Sequence, residues 1–547
     1  FVSVGYATCH WCHVMAAEAF SDTATADFLN SRFICIKVDR EQRPDIDQFL
    51  MNFINAQSGN GGWPLNVFLT PDLRPIYALT YAPAHAAGAR YSFLGIAQKV
   101  DEYYRKNADD IKPFVLKATQ PRIAGEDDLI SSLLSYYDAD YGGFGAGQKF
   151  PPHCTLLYLL YSLSVDDHPD VRTICLHTLD VMRLRGLHDH LQGGIFRYCV
   201  DREWTIPHFE KMLYDQAMAL WCYSLAHKVF GQEEYKIMAE NILRCLDDCF
   251  EDNGLLISAH DADTQHREGA TYLWSYAELQ SILDPDELKT FSLSYDIDEQ
   301  GNFEGLIHLM RKNDMPLRNI EDKLLARRNK RPQPERDDKI LCGINALAAT
   351  AMIHAGRNLE RPEWEEKAAQ LIRKLMDVFW DGKGLAHSFY KGAIQKQSFL
   401  FDAAALLNAM TMLYESDECW SEDMEKMTAY VELFREGDQW TESQVPDFQK
   451  IYASGFDHPV PSSVSLAEMA MTRVALLTGK DVISKSYRMP FQADFFNIVA
   501  MMSNGLYHVI SSGSVLAWTG LPANTIQRRS DPETDCYRGA CRPLKKK

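Results

Sequence analysis

The feature that most restricts the fold is a Cys-x-x-Cys pair, Cys9 and Cys12, which lies between an apolar run and an amphipathic stretch. The run FVSVGY is typical of a buried strand, and the stretch CHVMAAEAF is typical of a helix. Cys9 would therefore sit at a helix N-terminus, where unpaired backbone N–H groups and the helix dipole favour a thiolate. The pattern predicts a redox-capable pair in which Cys9 attacks and Cys12 resolves.

The segments after the cysteines continue an alternation of strands and helices. Residues 32–39 (RFICIKVD) read as a second strand, PDIDQFLMNFINAQ reads as a helix, and residues 65–70 read as a third strand that follows GGWP. This order resembles the thioredoxin fold, in which a cis proline precedes the third strand and faces the disulfide. Pro64 occupies that place and would form one wall of a groove for peptide thiols.

The segment CHWCH also permits two other interpretations. Cys-x-x-Cys-His is the attachment signature of c-type haem. The four side chains of Cys9, His10, Cys12 and His13 are also zinc ligand types, although ligands so close in sequence cannot easily surround one tetrahedral ion. The surrounding strands and helices favour the thioredoxin interpretation over both.

The chain departs from thioredoxin at two positions. His10 and Trp11 stand between the cysteines in place of Gly-Pro, and an imidazole there would stabilise the thiolate and make the disulfide more oxidising. Ser3 stands where thioredoxin has a buried carboxylate. The usual proton relay is therefore absent from its expected position.

Beyond about residue 106 the pattern becomes helical. A loose stretch leads into helical periodicity at residues 127–138, 153–164, 170–185, 213–230, 233–250, 286–294, 340–356, 363–380, 399–415, 421–434, 462–479 and 488–502. Several of these helices run into Gly-containing turns, at GGFG, QGGIF, EDNG and WDGKG. Helix pairs that recur with a turn at one end predict an (α/α)6 toroid, with a helical solenoid as the alternative. We expect an α/β thioredoxin-like domain at 1–115 and an all-α barrel at 120–547.

The turns of this second domain contain the residues that suit a pocket. Aromatic side chains mixed with both charge signs beside a Gly-Gly turn are typical of a sugar-sized pocket, and capped helices with surface ion pairs are the alternative. Asp402 stands on an apolar helix and needs a partner or a pocket. The candidate pocket residues are Arg197, Asp201, Trp204, His208, Glu210, Lys211, Asp215, His260, Asp261, Asp263, Glu268 and Asp402.

Two sugar chemistries fit these residues. An epimerase would remove a proton beside a carbonyl and return it on the other face, whereas a hydrolase would use two carboxylates. The candidates for proton transfer are His208 with His260 or His387, with Arg197 or Lys211 on the enolate. The candidate carboxylates are Asp201, Glu210, Asp261 and Asp263. A thiol–disulfide oxidoreductase that uses Cys9 and Cys12 is the first hypothesis and a sugar enzyme the second, and a binding protein without catalysis is the third.

Composition limits the partners and the compartment. The chain of 547 residues has a net charge of −19, which disfavours nucleic acid and anionic membranes. No apolar stretch approaches the roughly 18 residues of a membrane span. The 13 cysteines are mostly scattered, as in a reducing cytoplasmic or mitochondrial compartment. We expect a protein thiol or a small molecule, such as a sugar, as substrate, and no metal or other cofactor.

Two expectations concern the ends of the chain. The sequence opens within an apolar run, so we expect an upstream segment, including any targeting sequence, to lie outside it. Cys536 and Cys541, in a polar C-terminal tail, could form a disulfide, pair with another thiol or have no role, and the last of these is favoured.

Longer motifs identify a family resemblance. CHWCHVM, GGWPLNVFLTPD, QKFPPH, GGIFRYCVDREWTIPHFEKMLYDQA and RDDKIL together resemble the spermatogenesis-associated protein 20 family. The resemblance implies a thioredoxin-like domain fused to a barrel related to six-hairpin glycosidases and N-acylglucosamine 2-epimerases. It implies no defined reaction, and the family name suggests a role in fertility. The chain departs from the family at 344–346 (INA for the usual WNG) and at 458–462 (HPVPS).

Overall fold

The computed structural model describes residues 1–86, 91–115, 126–444, 447–479, 507–530, 532–537 and 540–544. The chain divides into two compact units. The first comprises Phe1–Thr119 and Val445–Ile451, and the second comprises Gln120–Gln444 and Tyr452–Lys547. The short later segment belongs with the first unit because Phe448 and Ile451 pack into its core. Two apolar side chains are too weak a pattern for this assignment to be predicted from the sequence.

The first unit has the thioredoxin-like α/β architecture expected from the sequence. Its elements are β1 (Val2–Gly5), α1 (His10–Ala17), α2 (Thr23–Arg32), β2 (Ile36–Asp39), α3 (Pro44–Ser58), β3 (Leu65–Leu69), β4 (Pro75–Leu79) and α4 (Phe93–Asn107). The sheet order is β2-β1-β3-β4. β1 and β2 are parallel, while β3 is antiparallel to both β1 and β4.

Helices cover both faces of this sheet. Because successive side chains of a strand point to opposite faces, Val67 of β3 packs with Leu50 of α3, whereas Phe68 packs with Met15 of α1 and Phe93 of α4. Both faces are therefore buried, which explains why the strands read as continuous apolar runs.

The second unit is built mainly from helices. They are α5 (Glu126–Tyr136), α6 (His153–Leu163), α7 (Pro169–Leu184), α8 (Leu213–Phe230), α9 (Glu233–Cys245), α10 (Tyr276–Ile282), α11 (Pro285–Ser294), α12 (Arg318–Arg328), α13 (Cys342–Asn358), α14 (Pro362–Phe379), α15 (Leu400–Ser416), α16 (Ser421–Glu432) and α17 (Ser463–Leu477). Each helix predicted up to 462–479 is present, and the one predicted at 488–502 lies outside the described residues. The sequence missed α10, which is short, and α12, which carries few apolar side chains.

Alternate helices of this unit surround a common axis. α6, α8, α13, α15 and α17 contact one another in that order. One cavity is lined by a side chain from each of the five: Tyr161, Trp221, His354, Asn408 and Met469. The outer helices α7, α9, α14 and α16 lie between them in the chain. The helical toroid predicted from the sequence is therefore confirmed, and a solenoid is not what forms.

The second unit also contains short strands, which the sequence did not predict. They are β5 (Tyr198–Cys199), β6 (Pro207–His208), β7 (Lys211–Met212), β8 (Glu251–Asp252), β9 (Leu255–Leu256), β10 (Ala259–His260), β11 (Asp263–Thr264), β12 (Arg267–Glu268), β13 (Arg336–Asp337), β14 (Ile340–Leu341), β15 (Ser388–Tyr390), β16 (Ala393–Gln395), β17 (Arg435–Glu436) and β18 (Gln439–Trp440). Two-residue strands carry no detectable period, so only the fold reveals them. In the sheet β13-β10-β7, Ala259 pairs with Asp337 on one side and Met212 on the other.

A four-stranded sheet lies near the end of the chain. It contains β19 (His508–Ser512), β20 (Thr525–Arg529), β21 (Thr534–Tyr537) and β22 (Ala540–Pro543). Cys536 and Cys541 lie opposite each other on β21 and β22 and form a disulfide. Of the alternatives considered for this pair, the structure contains the disulfide, because the hairpin register brings the two sulfurs together. Among the described residues, no helix combines the length and the hydropathy of a membrane span.

Candidate functional site

In the first unit, Cys9 and Cys12 form a disulfide with their Cα atoms 5.2 Å apart. Cys9 is the N-cap of α1, and its sulfur accepts the backbone N–H of Cys12 at 3.2 Å. The first N–H groups of a helix have no partner within the helix, so this position offers the sulfur a donor and the positive end of the dipole. In this oxidised form the two sulfurs are bonded to each other.

Pro64 lies at the same end of the sheet as the disulfide. The Trp63–Pro64 peptide bond is cis, as the resemblance to thioredoxin implies. The next residue, Leu65, is the first of β3 and pairs with the penultimate residue of β1. One further step of this register places Pro64 opposite Gly5, where an added Cβ would lie 2.8 Å from Cys12 Sγ.

The position of the missing thioredoxin carboxylate contains no acid. Ser3 is buried on β1 and lies opposite Asn66 of β3. The Asn66 amide donates to the carbonyl of Thr80 at 3.0 Å. The polar groups at this point of the sheet therefore connect strands and provide no proton acceptor of the thioredoxin type.

A carboxylate instead reaches the groove wall from α3. Trp63 Nε1 donates to Asp47 Oδ1 at 2.8 Å. The Arg40 guanidinium lies 4.0 Å from the centroid of the Trp63 ring and 4.5 Å from that of Tyr6. Burial raises the pKa of Asp47 to about 6, although Arg40 and the Trp63 hydrogen bond oppose the rise. Asp47 was not predicted as a site residue from the sequence, although Pro44, which opens α3, places it on a first helical turn.

In the second unit, the N-termini of inner helices meet at one end. Tyr214 of α8 packs with Ile344 of α13 and with Val460, which precedes α17. Met212 and Ala259 complete this contact. The candidate pocket residues that the structure brings together lie at this end.

Five of the predicted residues form one connected set, called the polar cluster below: Arg197, His208, Glu210, Asp215 and Glu268. His208 Nδ1 lies 2.6 Å from Glu268 Oε1, and its Nε2 lies 3.8 Å from Glu210 Oε2. Arg197 Nη1 lies 3.5 Å from Asp215 Oδ1, and the Arg197 backbone donates to the Glu210 carbonyl at 2.8 Å. Glu210 and Asp215 are buried, so these are not the surface ion pairs considered from the sequence.

Aromatic rings border the polar cluster. The Arg197 guanidinium lies 5.5 Å from the Phe150 ring centroid and 5.1 Å from that of Tyr214. Phe150 stacks on Tyr198 with the ring centroids 4.6 Å apart. Burial, together with Glu268 and Glu210, raises the pKa of Tyr198 to about 12. The Tyr198 phenol thus remains a neutral hydrogen-bonding group at physiological pH.

Two histidines beside Arg197 were not proposed as pocket residues. Burial and Arg197 lower the pKa of His458 to about 3. Burial, Arg197 and His458 lower the pKa of His153 to about 3 as well. Both imidazoles are therefore neutral near pH 7. The QKFPPH motif, which ends at His153, was the available signal for one of them.

Asp402 has the partner that its apolar surroundings require. Its Oδ2 lies 2.7 Å from His387 Nδ1, and its Oδ1 accepts the backbone N–H of Gly343 at 2.8 Å. The pair joins the first turn of α15 to the start of α13. His387 is thereby a histidine with a carboxylate partner, in the same arrangement as His208.

Lys211 lies in a separate buried network. Its Nζ donates to Asp189 Oδ2 at 2.7 Å, and Arg328 donates to both oxygens of Asp189 at 2.8 and 2.9 Å. Lys211 belongs to β7, and α8 begins only at Leu213.

Two other predicted residues shape the loop before β6. Asp201 accepts the backbone N–H groups of residues 203, 205 and 206 at 2.9, 2.9 and 2.8 Å. Trp204 is fully buried, and its indole N–H lies 3.4 Å from the carbonyl of Gly142. Both contacts hold backbone in place.

The remaining predicted residues lie on β10, on β11 and between these two strands. His260 Nε2 lies 2.9 Å from the Cys249 carbonyl, and burial lowers the pKa of His260 to about 4. Asp261 accepts the N–H of Asp263 at 2.9 Å, and Asp263 pairs with Glu268 across β11 and β12. In the described part of either unit taken alone, no three His, Cys or carboxylate ligand atoms lie within 4.8 Å of one another.

Comparisons with known proteins support the two-part organisation. The family model Thioredox_DsbH, described as a protein of unknown function, DUF255, matches residues 1–120. An uncharacterized Caenorhabditis elegans protein, B0495.5, is 33% identical over 482 residues, or 76% of this chain and 66% of that protein. Human spermatogenesis-associated protein 20 is 30% identical over 492 residues, or 76% of this chain and 62% of that protein. The matches thus span somewhat under two thirds of these relatives.

Solved structures also show likeness to the helical unit. A family 76 glycoside hydrolase (mannosidase) of Bacteroides thetaiotaomicron has a TM-score of 0.39 at 8% identity, covering 64% of this chain and 80% of that chain. A sugar epimerase from a ruminal bacterium has a TM-score of 0.31 at 14% identity, covering 65% of this chain and 97% of that chain. At these TM-scores the likeness is weak, and nothing below depends on it.

Proposed function

Because this chain is a homologue of the spermatogenesis-associated protein 20 proteins with a thioredoxin-like unit, we propose that it is a thiol–disulfide oxidoreductase. One observation carries the proposal. Cys9 caps α1, and the Cys12 N–H is donated to its sulfur, so the protein is organised to stabilise a Cys9 thiolate. The proposed substrate is a protein disulfide or thiol, since a groove wall at Pro64 suits an extended peptide.

The proposed reaction is a two-step exchange. The Cys9 thiolate attacks one sulfur of a substrate disulfide, forms a mixed disulfide and releases the other sulfur as a thiolate. The Cys12 thiolate then attacks Cys9, forms the Cys9–Cys12 disulfide and releases the second substrate sulfur. Two electrons pass from the protein to the substrate, and a dithiol donor reverses the steps to restore the reduced protein.

A redox titration tests this function. Alkylation and mass spectrometry at poised dithiol potentials should show a two-electron transition of Cys9 and Cys12 between about −120 and −270 mV, the range of thioredoxin-like catalysts. Cys12→Ser should trap mixed disulfides on Cys9, whereas Cys35→Ser, which removes an exposed free thiol, should leave exchange unchanged. A pair that stays reduced across this range would contradict the proposal.

A second candidate function belongs to the helical unit. His208 and His387 each have a carboxylate at hydrogen-bond distance from Nδ1, at 2.6 and 2.7 Å. A carboxylate partner orients an imidazole, as acid–base catalysis requires. Of the four candidate hydrolase carboxylates, Asp201 and Asp261 accept backbone N–H groups. We therefore take sugar epimerisation, ahead of hydrolysis, as the second candidate.

Solvent exchange tests the second candidate. The protein is incubated in D2O with N-acetylglucosamine, and NMR follows deuterium incorporation at C2. His208→Asn should abolish incorporation, and His266→Asn, on an exposed turn, serves as the matched control. Absence of exchange in the unsubstituted protein would count against epimerisation of this sugar. A fertility role, suggested only by the name of the relatives, needs a gene disruption in the source organism.

A further inference from the structure

A carboxylate on α3, that of Asp47, forms a hydrogen bond with the wall of the disulfide groove. Trp63 precedes Pro64, and its indole N–H is donated to Asp47 on α3 at 2.8 Å. On its face, the same indole receives the Arg40 guanidinium at 4.0 Å. Arg40 also lies 4.5 Å from Tyr6, whose carbonyl accepts the Cys9 N–H at 3.3 Å. These contacts connect Asp47 to both sides of the disulfide site.

We propose that Asp47 is a positioning residue for disulfide exchange: its carboxylate fixes Trp63, and through the Trp63–Pro64 link it fixes the groove wall opposite Gly5 and Cys12. The inference rests on the proposed oxidoreductase function and adds a residue to it. Asp47 does not replace the carboxylate missing at Ser3, because its hydrogen bond goes to the groove wall.

The ionisation of Asp47 gives this contact a pH dependence. Burial raises the pKa of Asp47 to about 6, with Arg40 opposing and Asp39 adding to the rise. An ionised acceptor makes a stronger hydrogen bond than a neutral one, so the hold on Trp63 weakens as the pH falls through 6. Three other charged groups near the start of α3 form ion pairs among themselves: Arg43, Asp45 and Asp447. Glu41, which is also buried, lies shortly before the helix.

The buried Asp47 carboxylate, when ionised, lowers the stability of the folded protein. The folded-state pKa is raised above that of the unfolded chain, so the folded protein binds the proton more tightly. Ionised Asp47 therefore lowers stability above about pH 6, and the loss is recovered as the pH falls toward the unfolded pKa near 4. A group kept at the expense of stability beside a reactive pair is typical of a functional site.

Asp47→Asn separates positioning from a purely structural role. The amide still accepts the Trp63 N–H but has no charge. We expect the Asp47→Asn variant to exchange disulfides about fivefold more slowly at pH 7.5 and to melt about 2–4 °C higher. The rate ratio of the two proteins should fall toward one below pH 6. Asp101→Asn, a carboxylate on α4 paired with Arg105, is the matched control and should keep the original profile.

Tryptophan fluorescence provides a readout without substrate. The part of the signal lost in Trp63→Phe should titrate with a midpoint near pH 6 in the unsubstituted protein and should not titrate after Asp47→Asn. If the exchange rates of the Asp47→Asn variant match the unsubstituted protein at every pH, or if rate and melting temperature fall together, the positioning role is overturned. If the unsubstituted protein exchanges no disulfide at any pH, the proposed oxidoreductase function fails. The fluorescence titration still tests the contact between Asp47 and Trp63 in that case, because it needs no substrate.

Discussion

His387 Nδ1 lies 2.7 Å from Asp402 Oδ2 in the buried part of the helical unit, and the other Asp402 oxygen accepts the Gly343 N–H at 2.8 Å. Two groups on two other segments, the His387 ring and the Gly343 N–H, are thus satisfied by one carboxylate. An apolar helix can include this acid only because both its oxygens have donors.

Removal of this carboxylate should destabilise the helical unit. Asp402→Leu leaves the Gly343 N–H and the His387 ring without their acceptor, and each unsatisfied buried group costs roughly 1–3 kcal/mol. We expect a loss of about 2–4 kcal/mol in the free energy of unfolding, and a smaller loss for Asp402→Asn, which keeps one acceptor. Urea denaturation followed by circular dichroism measures both. Equal losses in the two variants would show that the hydrogen bonds are not what Asp402 contributes.

The buried Asp189 network should be sensitive to the loss of its negative charge. Asp189→Asn leaves Lys211 and Arg328 buried without their counter-charge, and breaking a buried pair costs roughly 3–5 kcal/mol. The control is Asp314→Asn, where the partner of Arg183 is exposed and the expected change is below about 1 kcal/mol. The midpoints of denaturant unfolding measure the two changes in stability. Similar shifts for Asp189→Asn and Asp314→Asn would contradict the prediction that the buried pair matters more than the exposed one.

The Asp189 network should also account for part of the stability that the protein loses at acidic pH. Burial alone would raise the pKa of Asp189, but Arg328 and Lys211 hold it well below its usual range. A depressed pKa gives stability that is present above the unfolded pKa, near 3.9, and is lost as the pH falls toward the folded pKa. Between pH 5 and 2, the unsubstituted protein should therefore lose more stability than Asp189→Asn. Parallel melting curves over this range would argue against a charged Asp189.

Gly5 should be required for the disulfide site. A Cβ at Gly5 would lie 2.8 Å from Cys12 Sγ, closer than atoms normally approach, so Gly5→Ala must displace the sulfur. We expect slower formation of the Cys9–Cys12 disulfide, measured by alkylation after timed oxidation. Gly147→Ala, where no heavy atom lies within 4 Å of the added Cβ, is the control. Unchanged kinetics in Gly5→Ala would mean that the sulfur accommodates the methyl group without loss.

The thioredoxin-like unit was largely readable from sequence. Cys9 lies where an apolar run gives way to a helix, and the order of strands and helices follows from period and length. Pro64 was placed because the resemblance fixes a proline before the third strand. Asp47 was not found, because its importance comes from a hydrogen bond to Trp63, which no periodicity reports.

The helical unit shows the same division. Its long helices were predicted because apolar residues recur at helical spacing over many turns, whereas the two-residue strands were missed because they have no period. Lys211 was placed among the pocket residues by its neighbours in sequence, yet strand β7 directs it to Asp189.

The sequence by itself determined the types of element, their order and the residues that carry reactive groups, since these depend on local burial and spacing. Only the tertiary structure decided which groups meet. Asp189 and Arg328 are 139 residues apart, and Trp63 and Asp47 are 16 apart on different elements. Such pairs form because the packing of helices and strands brings distant segments within hydrogen-bond reach, and that geometry is a property of the whole fold.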